Sequence, residues 1–149
     1  MLSFAASGRF GNLLAMFWFA GFALLSAGAL FYPIAMAFRA RILFFVLPGI
    51  AGAIAGYWLG GTITDHRKTE GYRSAILRGI CVSLAGFVIF AGLFALSLPF
   101  EENGWLRASF GSIFLETLIF GLIMAGPLTI VSGSIAGASL FWFVSNKEV

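Results

Sequence analysis

The chain has 149 residues, of which 60% are hydrophobic and only 10% are charged. A chain of this size cannot bury so much apolar surface in one water-soluble core. Its formal net charge of +3 is modest, and the basic residues lie between apolar stretches, so the charge indicates membrane orientation and not nucleic-acid binding. Composition therefore predicts an all-α integral membrane protein.

Four apolar stretches are each long enough to cross a bilayer, which takes about 20 helical residues. We place the four transmembrane helices at residues 13–37, 42–61, 76–98 and 117–144. The first stretch is longer than the apolar core of a secretory signal, and we expect it to be an uncleaved helix. The connection at residues 39–41 is so short that helices one and two should form an antiparallel hairpin.

The last apolar region allows two arrangements. Residues 108–144 would be about 55 Å long as one straight helix, whereas the hydrocarbon core is about 30 Å thick. We expect an outer interfacial helix at residues 105–115, because Trp105, Leu106 and Phe110 can share a face at helical spacing. The alternative is a break at Gly126-Pro127 that divides the region into two shorter pieces.

The basic side chains are unevenly divided between the two sides of this predicted bundle. Six of the nine fall on one side and three on the other. The first side holds Arg9, Arg67, Lys68, Arg73, Arg78 and Lys147, and the second holds Arg39, Arg41 and Arg107. Because Lys and Arg concentrate in cytoplasmic loops, we expect both termini to be cytoplasmic, in a bacterial inner (plasma) membrane. Four aromatic residues fall near the inner interface, namely Trp18, Tyr57, Trp58 and Trp142.

Small residues recur at helical spacing on at least three of the helices. Helix two carries the glycine zipper Gly49, Gly52, Gly56 and Gly60, helix four carries Gly133 and Gly137, and helix one carries Ala20, Gly21, Ala27 and Gly28. Such faces let another helix backbone approach closely in a membrane. We interpret them as helix-packing or partner interfaces, filled within the chain, by a second copy or by another subunit, and we expect the partner subunit to pack in the groove of Gly52, Gly56 and Gly60.

A phenylalanine stripe follows spacings of three and four residues on helix three. It consists of Phe87, Phe90 and Phe94. The stripe is typical of core or lipid contact, and the alternative is docking against a larger complex or a lipophilic cofactor. The apolar stretches contain no histidine to serve as an axial ligand, and the chain has one histidine and one cysteine. We therefore predict no cofactor and no metal site.

Ionisable groups give two weak candidates for a site. Glu116 is the acidic residue embedded in an apolar stretch, which makes it a possible intramembrane ionisable site or a hydrated group near the outer head groups. Further polar side chains within the helices are few; we note Ser83, Thr129, Ser132 and Ser134. The basic residues of the cytoplasmic loop are expected to contact lipid head groups, and they are Arg67, Lys68, Arg73 and Arg78.

No group of residues in the sequence forms a recognisable reaction centre. We therefore expect a non-enzymatic accessory or assembly subunit of a larger membrane protein complex, with membrane lipid and other subunits or copies of itself as partners. The alternative is a small homo-oligomeric transporter or channel that uses Glu116 and the break at Gly126-Pro127. A third hypothesis is a lipid-modifying enzyme with Asp65 and His66 as an acid–base pair beside Arg67.

Overall fold

A computed structural model describes residues 8–38, 43–65, 71–97 and 110–146, and its elements are all helical. The α-helices are α1 (Gly8–Phe38), α2 (Leu43–Ala55), α3 (Gly61–Thr64), α4 (Tyr72–Ser97) and α5 (Phe110–Ser145). A π-helix at Gly56–Gly60 joins α2 to α3, so residues 43–64 form one continuous helical run. The prediction of four helices long and apolar enough to cross a membrane is confirmed.

The four long helical runs form an up-and-down bundle. Its helices follow the order α1, α2, α4, α5 around the bundle, and the contact of α5 with α1 is the least extensive of the four adjacent pairs. Among the described residues, α2 and α5 lie across the centre from each other without contact. The bundle is therefore closed on three sides and more open between α1 and α5.

The buried core is built largely from small side chains. Four alanines at most 1% exposed lie in the cluster that joins the helices, namely Ala15, Ala55, Ala75 and Ala136, and Ala51 on α2 is equally buried. The largest side chains that are fully buried are Ile63, Leu140 and Val82. Small residues at these positions let the helix backbones approach closely, as small residues do where membrane helices pack.

The glycine face of helix two is filled by α1. A Cβ atom added to Gly56 would lie 2.7 Å from the Ala15 carbonyl oxygen, and one added to Gly52 would lie 2.8 Å from the Phe19 carbonyl oxygen. Gly60 faces the Ala15 side chain in the same way, at 2.7 Å. Only glycine leaves room for the α1 backbone at this distance.

Glycines also bring α4 and α5 together. A Cβ atom on Gly79 would lie 2.7 Å from the Cα atom of Gly137, and one on Gly137 would lie 2.9 Å from the Cα atom of Gly79. Gly133 meets the Ser83 hydroxyl and the Gly79 carbonyl oxygen on the same side of the helix. Here two glycine faces contact each other backbone to backbone.

α5 differs from both expectations for the last apolar region. It runs from Phe110 to Ser145 without a break at Gly126-Pro127, and Pro127 lies inside the helix. Residues 110–115 of the expected interfacial helix are the first turns of α5, and residues 105–109 lie outside the described residues. A single proline removes only one backbone donor, which a packed helix tolerates. At 36 residues, α5 is about 54 Å long.

The π-helix at Gly56–Gly60 is a feature that the sequence patterns do not indicate. Gly56 and Gly60 are both buried against α1, whereas Tyr57, Trp58 and Leu59 between them are exposed. Single π turns of this kind interrupt α-helices where local packing or function requires a change of register. In this protein the change keeps both glycines against Ala15.

Replacement of Gly56 by alanine tests the approach of α1 to this face. The added methyl group would meet the Ala15 carbonyl oxygen, which belongs to the backbone and cannot rotate away. We expect Gly56→Ala to lower the free energy of unfolding by about 1–3 kcal/mol, the usual cost of overpacking. The measurement is the loss of helical circular dichroism as SDS replaces a mild detergent.

Gly21→Ala is the matched control. A Cβ atom at Gly21 has no neighbour within 4 Å, and alanine favours the helix over glycine by about 1 kcal/mol. We expect this variant to be at least as stable as the unmodified protein. Equal stability of the two alanine variants would contradict the close contact at Gly56.

Candidate functional site

A cavity of about 110 Å³ lies between α1, α2, α4 and α5, is lined by residues from all four and is partly open to the outside. Its polar lining consists of four hydroxyl groups, those of Ser26, Ser83, Thr129 and Ser132. No charged side chain lines it. The cavity fills the space left between α2 and α5, which do not touch within the described ranges.

The hydroxyl groups differ in how they are hydrogen bonded. The Thr129 Oγ1 donates to the Ala125 carbonyl oxygen at 2.9 Å, and the Ser132 Oγ donates to the Thr129 carbonyl oxygen at 3.1 Å. Both of these oxygens keep lone pairs that can accept. Within the part of the chain that the structure describes, the hydroxyl groups of Ser26 and Ser83 have no hydrogen-bond partner. The cavity therefore offers unused donors on α1 and α4 and acceptors on α5.

Trp18 joins α1 to α5 beside the cavity, one residue before Phe19 of the lining. Its indole Nε1 donates to the Ser139 Oγ at 3.0 Å, and the Ser139 Oγ donates to the Ala136 carbonyl oxygen at 3.2 Å. The Trp18 ring also lies 5.4 Å from that of Phe143, centroid to centroid. This end of the bundle is tied across α1 and α5 by a specific polar contact.

The predicted aromatic stripe lies partly in this cavity. Phe87 and Phe90 line it, and their ring centroids are 6.2 Å apart. Phe94 stacks on Phe90 at 5.9 Å, farther along α4. The Phe87 ring also lies directly over Gly121 of α5. The stripe thus packs between α4 and α5 and forms an aromatic wall of the cavity.

The predicted small-residue faces meet other helices of the same chain. Gly49, Gly52, Gly56 and Gly60 contact α1, and Gly133 and Gly137 contact α4. In contrast, a Cβ atom added at Gly21 or Gly28 of α1 would have no neighbour within 4 Å. The structure therefore separates the small residues into inner positions that are occupied and outer positions that are open.

Glu116 lies apart from the cavity. It is exposed in the second turn of α5 and is not among the lining residues. Its carboxylate makes no hydrogen bond or ion pair with any residue that the structure describes. Within the described residues, Glu116 and Pro127 lie in one continuous helix, so the helix break that the transporter alternative expects at Gly126-Pro127 does not occur.

The basic residues near the ends of α3 and α4 have different surroundings. The Arg78 Nη1 donates to the Thr62 carbonyl oxygen at 2.6 Å and so stabilises the C-terminal end of α3, where carbonyl groups lack helical partners. Arg73 is exposed. Arg67 and Lys68 lie outside the described residues, as does His66 of the acid–base hypothesis.

Sequence patterns do not single out the cavity as a site. Ser83, Thr129 and Ser132 stand out as polar residues in apolar helices, but their meeting with Ser26 depends on tertiary packing. The sequence does contain a pattern for one wall of the cavity, because Phe19, Phe22 and Ser26 recur on one face of α1 at steps of three and four.

The cavity presents four neutral hydroxyl groups and no charged side chain. Across the described residues, no three His, Cys, Asp or Glu side chains lie together as metal ligands. No family model, curated protein or solved structure matches this chain. The surfaces and the cavity described above are therefore the basis for a functional proposal.

The hydrogen bond between Trp18 and Ser139 can be measured by a double-mutant cycle. We expect Trp18→Phe and Ser139→Ala each to lower the free energy of unfolding by about 0.5–1.5 kcal/mol. The free energy of unfolding lost by the double variant should be smaller than the sum of the two single losses, because both changes remove the same hydrogen bond.

Ser134→Ala supplies the control for this cycle. The Ser134 Oγ donates to the Ile130 carbonyl oxygen at 2.8 Å on the same helix, whereas Trp18 donates to Ser139. Its effect should add to that of Trp18→Phe. If the losses in free energy of unfolding from Trp18→Phe and Ser139→Ala were additive, this would mean that no hydrogen bond joins the two side chains.

Proposed function

We propose that this chain is an integral membrane protein and serves as a non-enzymatic accessory or assembly subunit of a larger membrane complex. The four membrane-length helices support the membrane placement. The partner surface that we propose is the outer α1 face, formed by Gly21, Leu25 and Gly28.

The observation that carries the proposal is the open space along this face. Gly21 and Gly28 lie seven residues apart and meet nothing within 4 Å of an added Cβ atom, and Leu25 between them is 71% exposed. Lipid chains gain little from a glycine, whereas a second helix gains a closer backbone approach. A helix of another subunit fits this face better than lipid does.

The inner glycine faces serve the chain itself. Gly52 and Gly56 lie against α1, and Gly79 lies against α5, so none of them is open to a partner. Among the described helices, α1 carries two open glycines one heptad apart on one face, whereas the open Gly111 and Gly126 of α5 lie fifteen residues apart. The transporter alternative has no comparable support, because Glu116 is exposed and α5 continues through Pro127.

The proposed location is a bacterial inner membrane, with both termini in the cytoplasm. The start of α1, the end of α3 and the start of α4 meet at one end of the bundle, where Gly11 contacts Thr64 and Arg78 bonds to Thr62. Arg9 and Arg73 lie at this end of α1 and α4. Basic residues at one end favour the cytoplasmic side and contact with anionic lipid.

Bulky residues on the outer α1 face should release the partner and leave the bundle folded. We expect the double variant Gly21→Leu/Gly28→Leu to lose co-purifying membrane subunits by about tenfold, a change that corresponds to about 1.4 kcal/mol. The measurement is mass determination of the intact assembly, purified in gentle detergent from the native membrane, with identification of its subunits.

Gly111→Leu is the matched control, because Gly111 is also exposed and has nothing within 4 Å of an added Cβ atom. It lies on α5 and not on the proposed face, so its assembly should equal that of the unmodified protein. Purification of the unmodified chain alone, or equal loss of subunits in both variants, would contradict an accessory role through α1.

A further inference from the structure

We propose that the central cavity binds a neutral, lipid-soluble molecule that carries one hydrogen-bonding oxygen and reaches the cavity between α1 and α5. This site is separate from the outer α1 face. It faces the interior of the bundle, and its ligand would be a small molecule and not a protein helix.

The lining determines that the ligand is neutral. Apolar groups dominate it, with Phe22, Phe87 and Phe90 among them, and no charged side chain is present. An ion would lose its hydration without gaining a counter-charge, which costs several kcal/mol or more. Glu116 lies elsewhere on α5 and does not supply that charge.

The hydroxyl groups favour a ligand that carries a hydrogen-bond acceptor such as an oxygen. Ser26 and Ser83 are donors without partners among the described residues, and they lie on different helices that line one space. A ligand oxygen that reached either hydroxyl would accept a hydrogen bond that the described residues do not otherwise take. If the ligand is an alcohol, its own hydrogen can be donated to the Thr129 or Ser132 oxygen.

The volume fits a ring or a short chain segment. A cavity needs a volume of about 10–15 Å³ to hold one water molecule, and an apolar cavity of about 150 Å³ in another protein holds benzene. The present cavity of about 110 Å³ lies nearer the second value. Apolar walls with only a few hydroxyl groups favour an organic molecule over a cluster of water.

The route into the cavity follows from the packing around it. Glycine contacts close the α1–α2 and α4–α5 gaps, and Gly86 closes the α2–α4 gap against Ala55 at 3.5 Å. Between α1 and α5, Trp18 donates a hydrogen bond to Ser139. The cavity lies beyond Trp18 along the side with the least helix contact, and a lipid-soluble molecule can reach it there from the bilayer.

Photolabelling with azioctanol, an octanol that carries a diazirine ring, tests this site on the purified full chain in neutral detergent micelles. We expect mass spectrometry to find labels on cavity residues such as Ser26, Phe87 and Thr129. Excess octanol should abolish the labelling, whereas octane, which lacks the hydroxyl group, should compete about fivefold less well, as expected for one lost hydrogen bond.

Two variants and a control make the result specific. Ala125→Leu places a larger side chain in the cavity and should reduce the labelling about tenfold. The combined variant Ser26→Ala/Ser83→Ala keeps the space but removes the donors, so octanol should compete no better than octane. Val131→Leu on the exposed side of α5 should change neither result.

Several results would overturn the proposal. Labels spread evenly over exposed residues of α1 and α5, insensitivity to octanol, or unchanged labelling in the Ala125→Leu protein would each indicate a cavity that holds only water or detergent. The test uses the isolated chain, so specific labelling without co-purifying subunits would support this site while the proposed accessory role failed.

Discussion

Contact between helix backbones at glycine positions is the constraint on which the rest of this structure depends. In a membrane the hydrophobic effect does not drive helices together, so association relies on close van der Waals packing and a few hydrogen bonds. Each atomic contact contributes only about 0.1–0.2 kcal/mol, and many contacts are gained only if the backbones come near. Gly56 against Ala15 and Gly79 against Gly137 provide that approach on two sides of the bundle.

The cavity arises from the same constraint. Glycines draw α1 onto α2 and α4 onto α5, whereas α1 and α5 meet through the large ring of Trp18. α2 and α5 are thereby held apart across the centre. The space between them is lined by phenylalanine rings and hydroxyl groups, together with Gly52, Gly86 and alanine side chains. The positions of the glycines thus account both for the inner helix faces that are occupied and for the outer α1 face that is open.

The sequence predicts the parts of this fold that depend on composition and period. Four long apolar stretches predict four helices, and glycines four residues apart on helix two mark a face on which another helix packs. The sequence does not predict which helix packs there, because a glycine face fits α1 and a helix of another protein equally well. The π-helix at Gly56–Gly60 and the unbroken course of α5 through Pro127 depend on tertiary packing, which local rules for proline and glycine do not contain. The cavity brings together Ser26 and Ser83, which are 57 residues apart in the sequence. No local pattern predicts that both line the same space.

The most direct test of packing within one chain is a disulfide between α2 and α4. A Cβ atom on Gly86 would lie 3.5 Å from that of Ala55, within the range of about 3.5–4.5 Å found for disulfides. With the native Cys81 replaced by alanine, Ala55→Cys/Gly86→Cys should form an intrachain disulfide under mild oxidation, seen as a change in monomer mobility that a reductant reverses. Gly21→Cys/Gly86→Cys should not, because Gly21 faces outward. Failure of the first pair to close, or closure only between two chains, would contradict a bundle whose glycine faces are filled from within.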